Sequence, residues 1–150
     1  MEFAVGSIIL LSILVFFMPK RLSKQKLYAT FGVLSAISLF TDITIGVVYD
    51  LFDYTDSAKV ELPEHIIDAI LSPLFGLVFA NFMPRKLKPF ILYWLAWLVF
   101  SILYEWVAVQ VQFLNYKGWS LLHSSIVYVF IYWFIRWHVF FLEKDKGSSE

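Results

Sequence analysis

Apolar residues run along this chain in five long blocks separated by short polar stretches. The blocks cover residues 3–18, 27–49, 63–83, 89–112 and 119–142. None alternates with the two-residue period of a strand. A helix needs about 20 apolar residues to cross a roughly 30 Å hydrocarbon layer, and only helices or closed barrels satisfy the backbone there. The pattern therefore predicts an all-α, polytopic membrane helix bundle with about five transmembrane helices. Residues 1–142 are expected to form one transmembrane bundle and 143–150 a polar cytoplasmic tail. Pro19, Pro63, Pro84 and Pro89 fall at block edges, where a missing N–H costs little. Pro73 falls inside the third block and predicts a kink or local break. Met1-Glu2-Phe3 has no basic cluster, and no small-residue cleavage site precedes Pro19, so the first block is expected to be a retained helix.

The charges fix an expected orientation. Lys20, Arg21, Lys24, Lys26, Arg85, Lys86, Lys88, Arg136, Lys144 and Lys146 fall on one side of the alternating crossings, and only Lys59 and Lys117 on the other. Basic residues in short loops stay cytoplasmic, which predicts the N-terminus out and the C-terminus in. Trp94, Trp97, Trp133 and Trp137 would then sit towards the inner interface, and Trp106 and Trp119 towards the outer one. Arg136 and His138 are expected to snorkel to the inner interface or meet lipid phosphates. The outer loop with Asp50, Asp53 and Asp56 is expected to attract cations loosely.

Composition excludes other classes. The chain has 150 residues, 60% hydrophobic and 16% charged, with a mean hydropathy of +0.73; soluble domains use roughly 25% charged residues. It contains no cysteine, so thiolate chemistry and thiolate metal sites are excluded. The basic clusters are short and juxtamembrane, so no nucleic-acid partner is expected. The expected partners are the lipid bilayer and either a second copy of the chain or a membrane partner protein. No phosphate-binding glycine loop, nucleophile elbow or EF-hand spacing is present.

The candidate chemistry lies in the ionisable residues inside the blocks, because a charge at membrane depth costs roughly 2.5–3.5 kcal/mol and needs a protein or water partner. Asp42 and Glu105 each lie about seven residues before the outer end of an outward-running helix, on the order of 10 Å deep. His65 and Asp68 open the third block, and His123 lies near the start of the fifth. All five would fall in the outer third of the membrane. Their helical neighbours are small or polar: Ser35, Ser38 and Gly46 around Asp42, Ser101 and Ala108 around Glu105, and Ala69, Ser72, Gly76 and Ala80 after Asp68. Such stripes let helices approach closely. Asp42, His65, Asp68, Glu105 and His123 are thus the candidates for an outward-facing pocket taking a cation, proton or small solute. Two histidines and three carboxylates also suit a divalent metal, although no spacing motif supports one, and no other cofactor is expected. The alternative is a structural or accessory protein whose polar residues are interhelical hydrogen-bond glue. A metal-dependent intramembrane enzyme using His65, Asp68, Glu105 and His123 has less support.

Thr41-Asp42, the run from Tyr49 to Tyr54, Tyr104-Glu105-Trp106, Tyr116-Lys117-Gly118-Trp119 and Trp137-His138 carry a resemblance. The chain resembles a family of small, aromatic-rich multi-pass membrane proteins found mainly in Bacillus-like spore-forming bacteria. The similarity spans the second to the fifth block. The family pattern has a second Asp and a Lys after the Thr-Asp pair, where this chain has Gly46 and Val48. The resemblance implies a location in the bacterial cytoplasmic membrane and brings no assigned activity. Size and tryptophan content are also reminiscent of the tryptophan-rich sensory translocators, whose Trp and Pro-Pro motif is absent here.

Overall fold

The structure is a computed structural model that describes residues 2–54 and 62–144, with the side chains of 62–65 and 68 outside the description. It is built from five helices, α1 (Glu2–Phe17), α2 (Lys24–Asp42), α3 (Leu62–Phe82), α4 (Leu87–Gln110) and α5 (Leu121–Lys144). Two three-residue strands, β1 (Phe52–Tyr54) and β2 (Leu114–Tyr116), join them. Each helix begins where its neighbours in sequence end, so the helices alternate in direction between a basic end and an end closed by the strands.

Three helices are long and apolar enough to cross a membrane: Lys24–Val48, Leu87–Gln110 and Leu121–Lys144; Glu2–Phe17 and Ala69–Phe82 are shorter apolar helices. The outer surface agrees with that reading. Phe17 is 77% exposed, Phe40 73%, Leu92 73% and Phe130 71%. Water-facing monomers do not leave apolar surface of this extent uncovered, and these are the features of a membrane protein.

Inside, a cluster of aromatic rings packs around Phe79. Phe79 is fully buried and meets Tyr132 at 4.4 Å, Tyr93 at 5.1 Å and Trp97 at 5.8 Å between ring centroids. Trp97 is half-buried and packs against this core. α2 and α3 approach closely at Gly76, where an added Cβ would lie 2.3 Å from Leu34 Cδ1. This is the close approach that the small-residue stripe on α3 predicts. α3 runs unbroken past Pro73. A local departure falls in α2, which widens to a π-helical turn over Ile43–Val48, directly after Asp42.

At the basic end, Asn81 (2% exposed) ties down the α1–α2 connection. Its Oδ1 accepts from the Arg21 N–H at 2.8 Å and the Leu22 N–H at 3.3 Å, and its Nδ2 donates to the Pro19 carbonyl at 2.9 Å. Glu143 bridges Lys26 (3.2 Å) and Arg85. Arg136 donates to the Pro84 and Arg85 carbonyls at 3.0 and 2.8 Å and lies over the Phe90 ring at 4.1 Å. His138, expected at the interface, is buried and stacks on Phe134. On α5 it lies three positions from the buried Ile135, so it shares that inward face.

At the other end, α4 stops in a Schellman motif. The Phe113 N–H bonds the Ala108 carbonyl at 2.9 Å and the Gln112 N–H the Val109 carbonyl at 3.1 Å, with Gln112 at φ 56°. A side chain in that left-handed conformation is strained, on the order of 1 kcal/mol. Gln112→Gly is therefore expected to stabilise the protein by about 0.5–1 kcal/mol. Thermal unfolding in detergent checks this, and an unchanged or lower midpoint would contradict it.

Candidate functional site

The segments leaving α2 and α4 meet as an antiparallel pair, with Phe52 opposite Tyr116, Asp53 opposite Asn115 and Tyr54 opposite Leu114. The Leu51 carbonyl ties the pair to the α5 approach, accepting from the N–H groups of Lys117 (2.9 Å), Gly118 (3.0 Å) and Trp119 (3.0 Å). Phe52 reaches back over the π-helical turn, where an added Cβ on Gly46 would lie 3.1 Å from its ring. The strand pair closes one end of a cavity of about 270 Å³ lined by α2, α3, α4 and α5.

Asp42 and Glu105 both line this cavity and are 4% and 6% exposed. Each is met by a tyrosine from a different strand. The Tyr54 hydroxyl donates to Asp42 Oδ1 at 2.9 Å, and the Tyr116 hydroxyl donates to Glu105 Oε1. Glu105 has two further donors from α5, Ser124 Oγ at 2.5 Å on Oε1 and the Tyr128 hydroxyl at 2.5 Å on Oε2. Trp119 Nε1 donates to Ser124 Oγ at 2.7 Å, which commits the serine proton to Glu105. Three hydroxyl donors aimed at two oxygens form a charge-assisted network suited to a carboxylate. Burial, and then the Glu105 carboxylate beside it, push the Tyr116 phenol above its ordinary value, so it remains a donor.

Of the five expected residues, Asp42 and Glu105 line the same cavity. His123 is exposed on α5, pairs through Nδ1 with Ser120 Oγ at 2.8 Å and packs tilted against Trp119 at 5.0 Å, outside the cavity lining. The side chains of His65 and Asp68 lie outside the described residues, although Ser72 and Gly76 of the same stripe line the cavity. Among the described residues no group of three His, Cys, Asp or Glu side chains is placed to hold a metal.

The sequence reading missed the hydroxyl donors. Ser124, Tyr128 and Ile135 lie on one face of α5 at helical spacing, and all line the cavity. One position from Ser124 is about 100° around the helix, which is why His123 points elsewhere. The acidic loop also differs from expectation. Lys117 binds Asp50 at 2.6 Å and Asp53 at 2.9 Å, so a residue of this chain occupies those two carboxylates. Asp56 lies outside the described residues.

The hydrogen bond to Asp50, then that to Asp53, hold the Lys117 ammonium above its ordinary value. A folded-state value raised above the unfolded one gives a contribution present in full below about pH 10.4 and lost as pH rises through the folded value. The strand closure should therefore be insensitive to pH between about 6 and 9 and should loosen only in stronger alkali. Trp119 emission against pH reports this, and a transition near neutrality that Lys117→Gln removes would contradict it.

No family model, curated protein or solved structure matches the chain.

Proposed function

We propose that the chain is a multi-pass protein of the bacterial cytoplasmic membrane with five crossings. In this reading the N-terminus lies outside and the C-terminus inside, and the cavity under the strand pair is an outward-facing pocket for a cation or small solute. The observation that carries it is that Asp42 and Glu105, two buried carboxylates from separate helices, line one cavity. Buried acids at membrane depth mark solute or ion sites by default. The distribution of basic residues supports the orientation, and the resemblance to membrane proteins of spore-forming bacteria supports the compartment.

A second reading, that these acids are interhelical glue in an accessory protein, is favoured by one observation: three hydroxyls already satisfy Glu105. The absence of native cysteine makes the two readings separable by single-cysteine labelling in whole cells. Tyr49→Cys should react with a small membrane-impermeant thiol reagent and Lys144→Cys should not. Ser38→Cys, in the cavity wall, should also react from outside. A sealed Ser38→Cys beside a reactive Tyr49→Cys would leave the glue reading, and the reverse pattern at the ends would invert the topology.

A further inference from the structure

Within that proposed pocket, whose existence this inference presupposes, we infer that the occupant is an amphipathic organic monocation, an ammonium head carrying an apolar body. The cavity is sharply divided. Asp42 and Glu105 sit at the end closed by the strands, whereas Leu34, Gly76, Ile131 and Ile135 line it towards the Phe79 core. Among the described residues no Lys, Arg or His lines the cavity, and an anion would face two buried carboxylates.

An inorganic ion fits less well. Calcium and magnesium require about six oxygen ligands converging at roughly 2.0–2.6 Å, and the described residues offer no cluster of three ionisable ligands. The volume points the same way. About 270 Å³ is far more than the roughly 30 Å³ share of one water, and exceeds the roughly 150 Å³ apolar cavity that admits benzene. It suits an occupant of about ten non-hydrogen atoms. Phe52, Tyr54, Tyr104 and Tyr128 contribute aromatic surface to the same walls, the surface that attracts ammonium groups through the ring quadrupole. A carboxylate has about four lone-pair sites, so Glu105 keeps acceptor capacity beside its three hydroxyl donors.

The test uses the full-length protein in detergent, with Trp fluorescence and thermal shift as readouts and three probes of one shape: phenethylammonium, 2-phenylethanol and 3-phenylpropanoate. Phenethylammonium should bind saturably, at least about tenfold tighter than the alcohol, which is about 1.4 kcal/mol. The carboxylate should not bind. Asp42→Asn should erase the preference for the ammonium while leaving the alcohol affinity in place. The comparison of probes on the unmodified protein stands even if that variant fails to fold. Equal affinity for ammonium and alcohol would overturn the cation inference and leave the proposed pocket standing. Absence of saturable binding by any of the three would overturn both.

Discussion

Glu105→Ala is expected to lower the melting temperature in detergent by more than about 6 °C, the largest loss of any single substitution near the strand pair. The substitution removes the acceptor of the buried Ser124 hydroxyl and one acceptor each of the Tyr116 and Tyr128 hydroxyls, in a space where Glu105 was 6% exposed. A stranded buried donor costs about 1–3 kcal/mol, and removing one partner of a buried charged network about 3–5 kcal/mol. At roughly 2–4 °C per kcal/mol, three kcal/mol gives the stated shift. Two controls isolate the cause. Glu105→Gln keeps an acceptor oxygen and should lose about half as much, while Tyr128→Phe removes one donor and should cost about 1 kcal/mol. A Glu105→Ala protein that melts with the unmodified one would show that the three hydroxyls do not depend on this carboxylate.

Asn81→Leu should be comparably damaging, at the opposite end of the molecule. Leucine keeps the branched outline at Cγ but offers no polar atom to the Arg21 and Leu22 N–H groups or the Pro19 carbonyl. Two unsatisfied backbone donors at a buried site predict a loss of about 2–4 kcal/mol. Asn81→Asp sorts the contributions, since it still accepts from both N–H groups but turns an oxygen towards the Pro19 carbonyl. It should fall between the leucine variant and the native protein. Thermal unfolding of the three proteins, with limited proteolysis after Lys20 or Arg21 as a local readout, checks the order. If the α1–α2 connection stays resistant in Asn81→Leu, this clamp is not what holds it.

The helices were legible because hydrophobic run length is a strong signal, and the small stripes on α2 and α3 pointed to the close approach found at Gly76. Asp42 and Glu105 were legible because a charge inside an apolar block is conspicuous. The strand pair was not. Its two segments are three residues each and lie far apart in sequence, so neither alternation nor a turn signal announces them. Nor were the partners of Glu105, because Tyr and Ser occur throughout the chain and only the helical phase of α5 separates Ser124 from its exposed neighbour His123. His138 illustrates the converse error: a polar residue near a helix end reads as interfacial, yet its phase turns it into the aromatic core.

The distance in sequence between the two strands has a consequence for assembly during synthesis. Tyr54 pairs opposite Leu114, sixty residues later, an interval of roughly 3–12 s at ribosomal rates of about 5–20 residues per second. Among the described residues, the hydroxyl donors to Glu105 come from residue 116 or beyond, so α4 emerges carrying an acid whose hydrogen-bond donors have not yet been made. In the topology proposed above, α4 entering lipid alone would carry roughly 2.5–3.5 kcal/mol of uncompensated charge. The last two helices should accordingly be delivered to the bilayer as one unit, with the fourth waiting at the translocation machinery until the fifth arrives.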